Sequence, residues 1–165
     1  MFETVEISVL AETPLFRLEA FDEPAVDAWA LAQFGTRLPA PCCSAGAGSA
    51  RLIWVEPKAW HLRTPDPCTS WPDPSAAAVT ELTGGRVCLG LRGSGWRELL
   101  TLEGVFDVED RGFGPGSAAT TLIHHTTVLL DVVSDDRAEV WVAPSYLNHI
   151  VDFWTAALAR GALKT

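Results

Sequence analysis

The strongest constraint on this chain is the run of closely spaced turns between Gly84 and Arg160. Three short stretches there, 120–123, 128–133 and 139–142, are apolar, rich in β-branched residues and no longer than a strand. A turn near His124-His125 separates the first pair, and a second turn at Ser134-Asp135-Asp136-Arg137 separates the next. Connections this short cannot hold a crossover helix, so consecutive strands must run antiparallel. Upstream, Arg86 to Arg92 alternates as another strand. Ser94 is placed as N-cap of a short helix carrying Trp96, Leu99 and Leu100. Glu103 to Gly116 reads as a loop with a short extended piece at 105–108. Pro144-Ser145-Tyr146-Leu147 opens a final helix with an apolar stripe at Leu147, Ile150, Val151, Trp154 and Leu158.

The first half carries the same kinds of signal. Phe2 to Leu10 is extended, and Pro14 to Phe21 alternates as a half-buried strand. Asp22 caps a helix with Pro24 in its first turn and Gly35 as its left-handed stop. Val26, Trp29 and Ala30 share one face of it. Leu38 to Ala50, with two prolines and two glycines, reads as a loop. Residues 51–55 and 59–63 form a hairpin around Glu56-Pro57-Lys58. Thr64 to Pro72, with Pro65, Pro67 and Pro72, is irregular. Asp73-Pro74 predicts a helix ending at Gly84-Gly85, with Val79 and Leu82 inward. Helices interspersed with hairpins give an α+β fold with antiparallel or mixed sheets. Each half has a helix followed by a hairpin.

A length of 165 residues suits one domain, 1–165, with no linker long enough to divide it. Such a chain buries about 70% of its unfolded surface and needs no disulfide staple. The formal net charge of −9 repels phosphate backbones and anionic lipid, which excludes nucleic acid and acidic membranes as partners. Met1 to Leu10 lacks the positive start of a secretory signal, and no apolar run is long enough to span a bilayer, so a cytoplasmic location is expected. Cys42, Cys43, Cys68 and Cys88 match neither a disulfide framework nor a metal motif. All four are expected reduced, with Cys88 in the core.

The groups that suggest chemistry resolve into structural roles. His124-His125 are neighbours at a turn, and adjacent strand residues point to opposite faces, which disfavours joint chelation. Gly112 to Ser117 has the glycines of a phosphate loop but carries Pro115 and no lysine. Gly90 to Gly95 lacks the dinucleotide spacing. Ser94 lacks the nucleophile elbow and serves as a cap. Asp107, Glu109 and Asp110 form a solvated acidic run. No catalytic, cofactor-binding or metal-binding residue is assigned. Seven tryptophans are many for this length. Trp96, Trp141 and Trp154 are candidates for core or subunit contact, because aromatic residues concentrate in interfaces. Arg92 and Arg97 are candidates for pairing with a partner's carboxylates, or with Asp107 or Glu98.

In order and spacing, residues 50–160 resemble the gamma subunit of heterotetrameric sarcosine oxidase. The resemblance rests on Glu56-Pro57-Lys58-Ala59-Trp60, Leu89-Gly90-Leu91-Arg92-Gly93, Leu99-Leu100, Asp107-Val108, Phe113-Gly114-Pro115-Gly116, Val128-Leu129-Leu130 and Ser145-Tyr146. Where that family commonly has Cys-Pro before the aspartate, this chain has Gly104-Val105. The resemblance implies a fold similar to the folate-binding aminomethyltransferase of the glycine cleavage system. It implies alpha, beta and delta subunits as partners, with FAD, FMN, NAD, tetrahydrofolate and zinc held by those partners and no cofactor bound by this chain. It implies a non-catalytic role in a complex that oxidises a secondary N-methyl amine. The alternative is a standalone folate-binding or aminomethyltransferase-like protein. That would need a carboxylate aimed at the pterin, and the Lys-Gly-Cys-Tyr type motif of related folate proteins is absent from the sequence.

Overall fold

The computed structural model describes residues 4–66 and 68–161, so Phe2, the start of the expected first strand, and Pro67 lie outside the described residues. Ten strands, three α-helices and one 3-10 turn follow in order: β1 (Glu6–Val9), β2 (Leu15–Ala20), α1 (Glu23–Phe34), β3 (Ser44–Ala47), β4 (Ala50–Glu56), β5 (Ala59–Arg63), β6 (Ala77–Glu81), β7 (Val87–Arg92), α2 (Trp96–Thr101), β8 (Ala118–Ile123), β9 (Thr126–Ser134), β10 (Arg137–Val142), the 3-10 turn Pro144–Tyr146 and α3 (Leu147–Ala159). Among the described residues every strand pairing is antiparallel, one of the two sheet types expected for this α+β fold.

The chain divides into two compact units, Met1–Ala11 with Gly84–Thr165, and Glu12–Thr83. The first holds a five-stranded sheet in the order β1-β7-β10-β9-β8, the second a five-stranded sheet in the order β3-β4-β5-β2-β6. The orders correspond. In each unit a strand (β7 or β2) leads into a helix, then into a three-strand meander whose last strand returns to pair with the first. The fifth strand of each unit comes from the other half of the chain. β1, which precedes β2, pairs with β7, and β6, which precedes β7, pairs with β2. The helix-then-hairpin likeness of the two halves is thus a likeness of whole sheets.

In the unit containing the C-terminal half, alternate residues supply one apolar face: Leu89 and Leu91 from β7, Val140 and Val142 from β10, Val128 and Leu130 from β9. The ladder pairs Val140 with Leu89 and with Leu130, which stacks these residues side by side. Trp96, Leu99 and Leu100 of α2 and Ile150 and Trp154 of α3 pack in the same cluster. Fully burying a large apolar side chain contributes roughly 1.5–3 kcal/mol, so this cluster dominates the unit's stability. The His124-His125 turn joins β8 to β9 with both residues at positive φ, 45° and 64°. That handedness matches the twist of a two-residue hairpin.

In the other unit, Asp22 accepts a hydrogen bond from Ala25 N–H at 3.3 Å, and Gly35 ends α1 at φ 72°. α1 lays Val26 and Ala30, both 0% exposed, on the sheet. Leu18, Leu52 and Leu62 meet Ala30, and Ala20, Trp60 and Ala77 meet Val26.

Four expectations are corrected. The segment after Asp73 is not a helix. Asp73 caps a single turn, its carbonyl accepting from Ala76 N–H at 2.8 Å and Ala77 N–H at 3.1 Å. The chain then extends as β6, because pairing with β2 buries Ala77 and half-buries Val79 on one face. Here sheet pairing overrides the helix propensity of Ala76-Ala77-Ala78. The loop 38–50 contains β3, whose small residues follow the ladder of β4. Ser94 is not the cap of α2; that position is Gly95, with no side-chain hydrogen bond. Residues 105–108 make no strand, only a bridge of Gly104 with Ile123 and a bond from Val105 N–H to Leu122 O at 3.3 Å.

Candidate functional site

Of the two roles open to the tryptophans, the structure places Trp96 and Trp154 in the core, each 0% exposed. Trp141, in β10, is 4% exposed. Within this chain none of the three presents its ring at the surface. The Trp96 indole donates to Asp135 O at 2.9 Å, which ties α2 to the β9–β10 turn. The buried Trp154 indole N–H has no hydrogen-bond partner among the described residues.

Arg97 meets neither Glu98 nor Asp107. Its guanidinium lies 4.3 Å from the Trp96 ring centroid and donates to Phe113 O at 2.7 Å and to Val108 O. A planar guanidinium can stack and donate in one geometry, which Lys cannot reproduce. Arg97 therefore clamps the loop between α2 and β8. Phe106 and Phe113 meet edge-on inside that loop, their centroids 4.8 Å apart. The acidic run belongs to the same loop: Asp107 accepts from Glu109 N–H at 3.1 Å, and Asp110 from Gly112 N–H at 2.7 Å. Gly112 to Ser117 is a closed turn in which Gly114 N–H donates to Ser117 Oγ at 3.2 Å.

Arg92 is exposed at the end of β7, opposite Glu6 of β1 and Arg137 of β10. With Ser8, Leu10 and Gly90 these residues line a small cavity of about 170 Å³. A Cβ on Gly90 would lie 2.9 Å from Leu10 Cδ2 and 3.1 Å from Ser8 Oγ, so glycine is what lets this hollow form. Arg137 is bonded to the fully buried Glu139 at 2.8 Å, leaving Arg92 as the more exposed cation. Nearby, the Ser134 hydroxyl, donating at 2.7 Å, holds the Asp136 carboxyl below its ordinary range.

The histidine turn is tied down rather than free. His124 contacts the Glu103 carboxylate through Nδ1 and stacks on Phe153 with centroids 4.1 Å apart. His149 of α3 lies 4.7 Å from its ring. No group of three or more His, Cys, Asp or Glu side chains among the described residues is placed to hold a metal. Among the described residues no helix is long and apolar enough to cross a membrane.

An open apolar surface also lies in the other unit, at a stretch the sequence reading takes as a helix. A groove of about 630 Å³ runs beside the edge strand β6, lined by Phe16, Phe21, Trp71, Pro72, Val79 and Glu81 among others. Phe21 is 63% exposed and Trp71 40%. Trp71 packs between Phe16 (4.7 Å) and Trp29 (6.1 Å), which holds one wall rigid. The signal available in the sequence was Trp71-Pro72-Asp73-Pro74, a rigid aromatic-proline run beside a predicted inward Val79. Reading that stretch as a helix hid the groove.

In comparisons with known proteins, no family model and no curated protein matches this sequence. Among solved structures, the chain is similar to a chain of heterotetrameric sarcosine oxidase from Corynebacterium sp. U-96, in complex with pyrrole 2-carboxylate. The TM-score is 0.79 at 23% identity, covering 94% of this chain and 84% of that one. The likeness shows that the two chains share a fold.

Proposed function

We propose that this chain is a non-catalytic gamma-type subunit of a heterotetrameric, flavin-dependent sarcosine oxidase-like complex that oxidises a secondary N-methyl amine. Its role is to support assembly of the alpha and beta subunits. The observation that carries this reading is the fold shared over 94% of the chain with a chain of heterotetrameric sarcosine oxidase. The reading takes the fold to be of the folate-binding aminomethyltransferase type and the location to be cytoplasmic. It places FAD, FMN, NAD, tetrahydrofolate and zinc in the alpha, beta and delta partners.

Three of the chain's conspicuous polar groups support a packing role. Arg97 is committed to two backbone carbonyls, His124 to Glu103 and a stack on Phe153, and Asp110 to its own turn. Side chains spent on holding loops are not available to move protons on a substrate. The test is co-expression with the alpha, beta and delta chains of a heterotetrameric sarcosine oxidase-like complex from the same source, with and without this chain. The expected result is that omission lowers the yield of assembled, sarcosine-oxidising complex, while the chain alone neither turns over sarcosine nor binds tetrahydrofolate. Tight tetrahydrofolate binding by the isolated chain favours the standalone folate protein instead.

A further inference from the structure

The geometry points to the groove beside β6 as the docking site for an extended, basic segment of a different polypeptide, which adds a strand to the sheet edge. This inference rests on the subunit reading above and names the surface that serves it. β6 is the last strand of its sheet, with no strand on its outer side among the described residues. Phe21 N–H donates to Ala76 O at 2.7 Å and Leu82 N–H to Leu15 O at 2.7 Å. Backbone groups alternate in an antiparallel ladder, so Ala78 and Thr80 also face β2. Val79 and Glu81 then direct both N–H and C=O groups away from the sheet, toward the groove's open side. Five residues of strand, Ala77 to Glu81, offer roughly 17 Å of edge. An added strand gains main-chain hydrogen bonds there, and its alternate side chains fall against the exposed Phe21 and Trp71.

Charge selects the occupant. Among the described residues, the lining carries one ionisable side chain, Glu81. Asp22 and Glu23 follow Phe21, and Asp73 lies between Pro72 and Pro74; all four carboxylates are exposed. Asp73 is kept ionised by the Ser75 hydroxyl and amide, which donate to it at 2.6 and 2.8 Å. A second copy of this chain, itself carrying −9, would bring the same acidic rim against this one if it paired edge to edge. Like charges across an interface disfavour that pairing, whereas a Lys- or Arg-bearing strand is steered to it.

The test measures the affinity of the tagged full chain for its co-expressed flavoprotein partners, for wild type and four variants, each checked by circular dichroism and thermal melting. Phe21→Ser removes an exposed anchor without touching the core. Val79→Pro deletes an outward donor at an edge position where proline is tolerated. Glu81→Lys reverses the rim charge, and Val105→Ser, at a 74% exposed site in the other unit, is the control. Phe21→Ser and Val79→Pro are each expected to weaken assembly about 30-fold, as for an interface hot spot. Glu81→Lys should weaken it and flatten its salt dependence, and Val105→Ser should leave it unchanged. Equal affinity in all four folded variants overturns the docking site while leaving the subunit reading intact. Failure of wild type to capture any flavoprotein chain overturns both. A wild-type homodimer dissolved by Phe21→Ser overturns the choice of a basic heterologous strand.

Discussion

Replacing Arg97 with alanine removes the clamp that fastens the loop between α2 and β8. The side chain donates to two backbone carbonyls, and the residues that own them, Val108 and Phe113, are only 1% and 7% exposed. Hydrogen bonds from a charged donor contribute about 1.5–3 kcal/mol each, with the larger loss where a buried acceptor is left unsatisfied. The stack on Trp96 adds about 0.5–1 kcal/mol. Arg97 is half-buried, and solvent can reach part of the site, so the low end of each range applies. The expected loss for Arg97→Ala is about 3.5 kcal/mol. For a chain of this length that corresponds to a fall in Tm of roughly 7–14 °C. Urea unfolding followed by tryptophan fluorescence reads it directly, because Trp96 lies under the guanidinium. Arg97→Lys should fall between wild type and alanine, since an ammonium keeps the charge but not the fork. An Arg97→Ala variant within about 0.5 kcal/mol of wild type would refute the clamp, because changes that small are ordinary for surface sites.

Two glycines separate backbone strain from steric clash. Gly35→Ala has open space at φ 72° and should cost about 1–2 kcal/mol, whereas a Cβ at Gly93 would sit 2.0 Å from Thr4 O, so Gly93→Ala should cost more and loosen β1 from β7 by hydrogen exchange. Asp73 and Asp136 are held below the ordinary carboxylate range by Ser75 and Ser134. Their depressed values contribute stability that is present above the unfolded value of about 3.9 and is lost as pH falls through the folded value. Asp73→Asn and Asp136→Asn should therefore flatten the acid limb of a Tm-against-pH curve, and an unchanged limb would contradict the assignment. Burial pushes the Cys68 thiol up, so a thiol-specific disulfide reagent at pH 8 should modify the exposed Cys42 first, Cys68 more slowly, and the buried Cys88 only on unfolding.

Local signals with a single physical solution were legible in the sequence. Asp22, Pro24 and Gly35 bounded α1, and the His124-His125 turn joined its two strands, because caps and two-residue turns are decided by neighbours in the chain. The segment at 73–83 was misread because its fate depends on β2, more than fifty residues away in sequence. The same long-range pairing created the groove, so that surface was hidden for the reason the strand was, whereas β3 pairs locally with β4 and was hidden by its small, weakly strand-forming residues. Trp96 and Trp154 could be named but not assigned between core and contact, since composition does not say which face of a sheet a helix will cover. The exchange of first strands between the two sheets carries no local signature at all.

The central claim is that this chain works as one subunit among several. The most direct measurement is native mass spectrometry of the assembly that co-purifies with the tagged full chain when the flavoprotein chains of the proposed complex are co-expressed. The account predicts one stoichiometric hetero-oligomer containing a single copy of this chain and flavin-bearing partners, and its loss when this chain is omitted. A flavoprotein complex that forms and oxidises sarcosine equally well without it, or a tagged chain that stays alone, would contradict the account.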